Sequence, residues 1–443
     1  MELGEELRDY EQEIKFKLGY AGSGKSTHLA SKLADDSNYM VLTPTHKAKE
    51  VLNNKGMINV FTIYSVLKLV PNIDDNFRGK MRTKLLRIGE LDMSTVKKIY
   101  IDEFSMIPKH VFDILLEILP ATAEVIVYGD PYQLPPVNGE AINPEDYIYT
   151  DSGIELFTNQ YRSKAPNVVE TFMRYVHYLK DSSCNDLKLY TNRGSDLVRM
   201  GNNWVSEFNP DTDKILAYTN KKVSELNIIV SEHLGLPLDT FNLDEELQLG
   251  STYCKFDSIG HTDFNDNLFP SLLKGSNLVE DFEKKLKQVN TNIEKFRTDL
   301  SMYKKCVINF NDEFYNIYYD DNYHETDKNL KLDVEFIQNK LINHHNLDKS
   351  IKLAKWCKEN RNEKFVSDRG RAWGKYLGFK NHVFRLDRKF ASTVHKVQGS
   401  EFSNVFLAHD DIKTSVRNGN YTQFATLMYV ALSRAIDRLI IIN

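Results

Sequence analysis

Gly19, Gly24, Lys25 and Ser26 stand in the spacing G-x-x-x-x-G-K-S inside the stretch GYAGSGKST. Glycines, Gly22 among them, let a backbone curl until its N–H groups point inward at phosphate oxygens. Lys25 then supplies charge to the outer phosphates, the Ser26 hydroxyl is placed to ligate Mg²⁺, and Thr27 completes the loop. Further along, Asp102 and Glu103 close an apolar run, KKIYIDE. After a phosphate loop, the first acid can hold Mg²⁺ and the second can orient an attacking water. Gln133, in GDPYQLPPV, carries a neutral amide that can sense a terminal phosphate without desolvating a charge. Two prolines stiffen its loop. The chemistry these residues share is hydrolysis of a nucleoside triphosphate, with ATP and Mg²⁺ as the expected cofactors.

Such a loop must follow a strand and open a helix. IKFKL (14–18) alternates as a strand and runs into Gly19, and KSTHLASKLA (25–34) follows as a helix. YMVLT (39–43), KKIYIDE (97–103) and EVIVYGD (124–130) read as further strands. Helices are expected after Pro44-Thr45 and after Pro108. A second alternating run holds KILAYTN (214–220), RKFASTVH (388–395) and NVFLAH (404–409) as strands. It ends on a helix over 421–435, with Phe424, Leu427, Met428 and Ala431 on one face, and a last strand, DRLIIIN. Strands alternating with helices give an α/β fold with parallel, doubly wound sheets.

The expected domains are 1–150; 151–235 joined with 388–443; and an insertion over 236–387. Inside the insertion, CVINF and FYNIYY look like strands of a small barrel. Leu278 to Leu300 carry a heptad seam, read as a helix packed on its own domain. A smaller insertion, 70–95, holds Arg78, Lys80, Arg82 and Lys84 at every second residue. On a strand that spacing puts four cations on one face.

With 443 residues, two or three domains are expected. No apolar run is long enough to span a bilayer, and the acidic start lacks the apolar core of a signal peptide. The four cysteines are widely separated, which argues for reduced thiols rather than disulfides or zinc. Net charge is −5, so no global basic footprint exists. The segment 349–396 nevertheless holds fourteen Lys/Arg against four Asp/Glu, interleaved with Trp356, Phe365, Trp373, Tyr376, Phe379, Phe384 and Phe390. Basic groups track a phosphate backbone and aromatic rings stack on bases. A solvated basic surface over an aromatic core fits the same composition.

Eight stretches in order, GYAGSGKST, TPTHKAKEVL, DEFSM, GDPYQLPPV, NQYRS, YTNKKVSELN, STVHKVQGSEF and YVALSRA, resemble the helicases of superfamily 1. The likeness is to the 5′-to-3′ branch, with RecD-like and phage Dda-type enzymes. It implies two RecA-like lobes with ATP between them. Lys25, Ser26, Asp102, Glu103 and Gln133 would come from the first lobe. Arg162 and Arg434, unremarkable surface arginines on their own, would come from the second and reach the γ-phosphate. Gly399 and Glu401 would face the nucleotide. Thr45, His46 and Lys47 open a helix whose N–H groups can hold a phosphate. By the same likeness Thr62, Thr393 and His395 face single-stranded DNA. The chain departs from the pattern at Tyr64, where related elements carry His. The family's adenine-reading Gln is not matched either, because Gln12 stands too close to the loop.

The expected function is an ATP-dependent DNA helicase moving 5′ to 3′ on single-stranded DNA and parting a duplex. Single-stranded DNA and duplex junctions are the expected partners, with replication or recombination proteins and a single-stranded-DNA-binding protein. A monomer in the cytoplasm, a host's if phage-encoded, completes the expectation. Arg78, Lys80, Arg82 and Lys84 would hold a strand near the fork, and 349–396 would line the DNA channel. An ATP-gated DNA-binding switch, or a remodeller that does not unwind, remains the alternative.

Overall fold

The computed structural model describes residues 14–34, 39–74, 82–87, 93, 95–136, 139–148, 153–181, 187, 189, 191, 194–238, 241–249, 252–259, 303–310, 313–344, 371–376, 379, 383–416, 419 and 421–442. The chain divides into two compact units. One comprises 1–69, 87–230 and 390–443; the other comprises 70–86 and 231–389.

The first unit holds two parallel sheets. Strands β1 (Ile14–Gly19), β2 (Met40–Thr43), β3 (Val60–Thr62), β6 (Lys98–Ile101), β7 (Glu124–Gly129) and β8 (Ile154–Phe157) form one, in the order β3-β2-β6-β7-β1-β8. Every pairing in it is parallel, with Phe16 opposite both Val127 and Ile154. Its edge strand β8 lies past residue 150, so the first sheet reaches further along the chain than the expected lobe boundary. Helices α1 (Lys25–Leu33), α2 (His46–Asn54), the short α3 (Ile63–Val66) and α4 (Lys109–Ile118) connect these strands. On one face Leu29, Val41, Leu52, Tyr100, Ile126 and Tyr128 pack together.

The second sheet has the order β17-β10-β18-β19-β9, again wholly parallel. Its strands are β9 (Leu197–Arg199), β10 (Lys214–Ala217), β17 (Ala391–Thr393), β18 (Phe402–Ala408) and β19 (Ala435–Ile442). The strand expected over 388–395 is shorter, because a 3₁₀ turn begins at Val394. Helices α5 (Pro166–Lys180), α6 (Asn220–His233), α8 (His409–Lys413) and α9 (Thr422–Leu432) flank it. Helix α9 departs from the single apolar face expected of it: Phe424 through Leu432 are buried in an unbroken run. A helix apolar all round is a core helix. Here it packs with α5 residues Phe172, Tyr175 and Val176, with sheet residues Leu407, Leu439 and Ile441, and with Tyr20, Ala21 and Leu134.

The second unit holds a six-stranded sheet in the order β15-β14-β13-β12-β11-β16, with β11 (Glu246–Leu249), β12 (Thr252–Ile259), β13 (Lys304–Phe310), β14 (Glu313–Tyr319), β15 (Val383–Phe384) and β16 (Leu386–Arg388). Only β14 and β15 pair in parallel. Its end strands β15 and β16 are separated in the chain by Arg385 alone, so the sheet curls until its two ends adjoin. Helix α7 (Tyr323–His344) follows β14. Strands β4 (Leu69–Asp74) and β5 (Arg82–Arg87) pair as a two-stranded ribbon. Arg82 and Lys84 lie on β5; Arg78, Lys80 and the seam 278–300 lie outside the described residues.

The basic, aromatic segment is largely structural where it is described. Tyr376, Phe379, Phe384 and Phe390 are buried, and Phe379 and Phe384 belong to the core of the six-stranded sheet. Arg388 and Lys389 pair with Glu245 and Glu246. The reading that survives for these residues is a charged surface over an aromatic core. Trp356 and Phe365 lie outside the described residues. No helix among the described residues is long and apolar enough to cross a membrane.

At the start of α8, His409 is buried against the Phe424 ring. Burial, with Lys413 and Arg199 nearby, pushes its imidazole down to about 4, against a smaller upward pull from Asp410. A histidine that folds neutral stabilises above its unfolded value of 6.5. That contribution is lost as pH falls through 6.5 toward 4, because the unfolded chain binds the proton first. The loss is about 3 kcal/mol. His409→Leu should flatten the fall in thermal midpoint between pH 6.5 and 4; an unchanged pH profile would count against this account.

Candidate nucleotide site

The first parallel sheet presents its carboxyl edge to the site, where ligands bind in open α/β sheets. Lys25 follows β1, Asp102 and Glu103 follow β6, and Gln133 follows β7. The loop after β1 turns through Gly22 at φ 80° and Gly24 at φ 86°, the left-handed region that glycine tolerates. Gly24 is also the N-cap of α1, so the loop amides and the helix N-terminus face one volume.

That volume is a cavity of about 210 Å³. Ala21 through Thr27, Lys55, Glu103 and Gln133 line it from the first sheet's loops and helices. Tyr161, Arg162, Glu401 and Arg434 complete the wall. The structure thus brings Gly22, Gly24, Lys25, Ser26, Thr27, Glu103, Gln133, Arg162, Glu401 and Arg434 together, as the spacing and the resemblance lead one to expect. Gly19, Asp102 and Gly399 stand behind the wall. A Cβ at Gly19 would lie 2.6 Å from Phe157 Cβ, and Gly399 makes a left-handed turn at φ 78° just before Glu401.

Each charged group is held by partners that an anion could replace. The Lys25 ammonium donates to the Gly19 and Tyr20 carbonyls, both at 2.8 Å. Arg162 donates to the Ser433 carbonyl at 3.3 Å and pairs with Glu401 at 3.1 Å. Arg434 is 1% exposed and donates to the Val430 and Ser400 carbonyls and to the Ser433 hydroxyl. No carboxylate among the described residues hydrogen-bonds it. Burial, then the like charge of Arg162, pushes its guanidinium down to about 10.

On the acid side, Asp102 is buried 3.5 Å from the Ser26 hydroxyl. Burial and the neighbouring Glu103 push its carboxyl up to about 7, against the pull of Lys25, the Glu103 amide and Lys55. Glu103 itself takes a left-handed backbone, φ 55° and ψ 45°, which costs a non-glycine residue about 1–2 kcal/mol. Its Oε2 and the Gln133 Oε1 are buried without a hydrogen-bond partner among the described residues. A buried acid without an ion pair among the described residues, beside a hydroxyl, fits a divalent ion held by Ser26 and Asp102. Orphaned oxygens on Glu103 and Gln133 fit a cavity built for polar occupants.

Gln160 and Tyr161 stand inside NQYRS with roles that the stretch does not announce, and Lys55 stands outside every quoted stretch. Gln160 donates to the Ala21 carbonyl at 2.7 Å and accepts from the Arg162 N–H at 2.8 Å. The Tyr161 N–H donates to the Gly22 carbonyl at 2.9 Å. This clamp pins the arginine-bearing segment to the phosphate loop, and Lys164 ties the same segment to Ile436 on β19. Tyr161 is 71% exposed at the cavity rim, with its ring close to Gly24. Lys55 enters from the end of α2, whose N-cap is Thr45.

The residues expected to face DNA are spread over the first unit. The Thr45 hydroxyl caps α2 by accepting from the Ala48 N–H at 3.2 Å, and His46 and Lys47 open that helix. Thr62 is buried, and its hydroxyl caps α3 through the Ser65 N–H. Thr393 is buried at the end of β17. His395 packs beside Tyr218, and burial lowers its pKa. Gln12 lies outside the described residues.

Fold and site together define a phosphate-loop protein whose nucleotide cavity is walled from two parallel sheets. Residues 2–172 match the family model described as an AAA domain, and residues 389–442 match that of a UvrD-like helicase C-terminal domain. These two matches bear out the resemblance to superfamily 1 helicases. The chain is 26% identical over 248 residues to the ATP-dependent DNA helicase dda of Enterobacteria phage T4, covering 52% of this chain and 54% of that protein. It therefore spans about half the length of that relative. Among solved structures, Pif1 helicase from Bacteroides in complex with ADP-AlF3 and ssDNA is 15% identical, covering 100% of this chain and 92% of that one, at TM-score 0.44. Pif1 helicase from Candida albicans is 16% identical, covering 100% and 95%, at TM-score 0.43.

Gly22 is where the clamp and the loop meet. A Cβ there would lie 2.1 Å from Gln160 Oε1 and 2.8 Å from Arg162 Cβ. Gly22→Ala should therefore weaken nucleotide binding at least tenfold, about 1.4 kcal/mol. Titration with a fluorescent ATP analogue checks this, and affinity within twofold of wild type would refute the clamp.

Proposed function

We propose that this chain is an ATP-driven motor that moves 5′ to 3′ along single-stranded DNA and parts a duplex. The observation that carries this reading is the shared cavity. Lys25, Ser26 and Gln133 approach it from the first sheet, and Arg162, Glu401 and Arg434 from the segments of the second. A site with walls on two bodies is complete only when they meet, so hydrolysis and closure become one event. The phage T4 relative, by its name an ATP-dependent DNA helicase, supports the reading.

In this site Lys25 exchanges its two loop carbonyls for phosphate oxygens. Arg162 leaves Glu401 and, with Arg434, meets the charge spread over the transferred phosphoryl group. Glu103 orients the attacking water through its unpartnered oxygen, and Gln133 senses the terminal phosphate. Ser26 and Asp102 would hold Mg²⁺, which supplies charge to the phosphate oxygens when bound. The exposed Tyr161 ring offers a stacking face to a base.

On the DNA side, the start of α2, with Thr45, His46 and Lys47, holds a phosphate by its amides and a cation. Thr62, Thr393 and His395 complete the grip. Arg78, Lys80, Arg82 and Lys84 hold a strand near the fork. A monomer acting at duplex junctions in the cytoplasm, alongside a single-stranded-DNA-binding protein and replication or recombination proteins, fits this activity.

Two assays test the reading. ATPase turnover should rise when single-stranded DNA is added, and Lys25→Ala should lower it at least about hundredfold. Duplexes with a 5′ tail should unwind with ATP, whereas those with a 3′ tail should not. Turnover indifferent to DNA would sink the motor; turnover that responds without unwinding would leave an ATP-gated DNA-binding switch.

A further inference from the structure

Hydrolysis needs Lys25, Gln133 and Arg434 in one frame, and a single side chain outside the cavity wall touches the supports of all three. Tyr429, on α9, is fully buried. Its hydroxyl donates to Asp130 Oδ2 and accepts from the Ala21 N–H at 3.1 Å. Asp130 opens the turn that carries Gln133. Its Oδ1 accepts from the Tyr132 N–H at 3.0 Å, its carbonyl from the Gln133 N–H at 3.3 Å, and its Oδ2 lies 3.5 Å from Gln133 Nε2. Ala21 belongs to the phosphate loop, next to the Tyr20 carbonyl that Lys25 holds. In the other direction, α9 ends at Leu432, and Arg434 follows after the C-cap Ser433.

Packing does not call for the hydroxyl. The Tyr429 ring stacks on Phe172, with centroids 4.7 Å apart, and meets Tyr132 edge-on at 6.4 Å. Phenylalanine would keep both contacts. A phenol buried this deeply is tolerated because its hydroxyl is satisfied. Here both partners lie in loops that follow strands of the first sheet, while the ring belongs to a helix of the second.

On the reading that this site hydrolyses ATP, we propose that Tyr429 is a positioning residue: its hydroxyl locks the Asp130 turn and the phosphate loop to α9, so that Gln133 and Arg434 address the same phosphoryl group. Removing that oxygen takes away the buried Ala21 N–H's acceptor and leaves Asp130 Oδ2 with the longer contact to Gln133 Nε2. Burial already raises the Asp130 carboxyl, with the Tyr429 hydroxyl among the groups opposing the rise. The two loops then lose their common anchor. Ground-state affinity, which rests on Lys25 and the loop amides, is spared; the transition state is not.

The test compares Tyr429→Phe with wild type in ATPase assays, with and without saturating single-stranded DNA. Binding of ADP and of ADP–aluminium fluoride is measured alongside. The variant should lose turnover ten- to hundredfold in both conditions, with KM for ATP and Kd for ADP within threefold of wild type. Affinity for ADP–aluminium fluoride should fall at least tenfold. Asp130→Asn, which weakens the same hydrogen bond from its other end, should show the same split. Phe172→Leu keeps the hydroxyl and loosens the stack, so Tm should fall while kcat stays within threefold. Unchanged kcat in Tyr429→Phe or Asp130→Asn overturns the proposal, as does a Phe172→Leu loss equal to that of Tyr429→Phe. The motor reading fails separately, through wild-type turnover that ignores DNA. In that case the DNA-free kcat ratio and the aluminium fluoride affinities still decide the role of Tyr429.

Discussion

Arg162 and Arg434 stand on one small cavity with Lys25 close by, and no carboxylate among the described residues hydrogen-bonds the buried Arg434. Like charge and burial push the Arg434 guanidinium down to about 10. Behind the wall, burial and the neighbouring Glu103 push the Asp102 carboxyl up to about 7. Groups of each sign are therefore gathered and desolvated, and pairs such as Arg162–Glu401 offset them only in part. An anion between the cations and a cation at the acids relieve both stresses together. The rest of the first unit can be understood as what holds these groups in place.

Holding them takes covalent order as well as packing. The loops of the first sheet emerge from the carboxyl ends of β1, β6 and β7, which the parallel order places side by side. The cations of the second half arrive by two routes. Arg162 comes on a segment clamped to Ala21 and Gly22 and tied to Ile436. Arg434 comes at the end of α9, whose burial on every side leaves it little freedom to turn. Carbonyls and the Ser433 hydroxyl satisfy Arg434, and the Ser433 carbonyl with the Glu401 carboxylate satisfies Arg162, so the site keeps its shape with few unpaired donors.

The parts of this arrangement that the chain announces are those whose chemistry needs several residue types in one short stretch. GYAGSGKST, DEFSM and GDPYQLPPV are legible because a glycine loop, a paired acid and a stiffened amide each fit within ten residues. The parallel strands are legible from apolar runs ending at those stretches. What escapes notice acts across the chain. Gln160 and Tyr429 stand inside NQYRS and YVALSRA, yet nothing in those stretches says that both meet Ala21, 139 and 408 residues away. Strand β8 is mostly exposed and carries no alternation, so nothing marks it. Helix α9 shows one apolar face on a wheel, yet it is buried all round because loops of the first sheet cover the remainder. In the insertion, the aromatic residues among basic ones suggest stacking on bases, whereas Phe379 and Phe384 fill a core. Composition cannot separate those two uses, because both need the same side chains.

Helix α2 shows how the same economy reaches beyond the nucleotide. Its nine residues form a stiff rod of about 14 Å. Thr45, His46 and Lys47 stand at the start, where unpaired amides and the helix dipole favour an anion. Lys55 stands at the other end, on the wall of the nucleotide cavity, and its charge is felt at Asp102. Because a helix does not stretch, a displacement of Lys55 is a displacement of the amides at Thr45. One element then has the nucleotide cavity at its tail and the amides that follow Thr45 at its head, with no hinge between them.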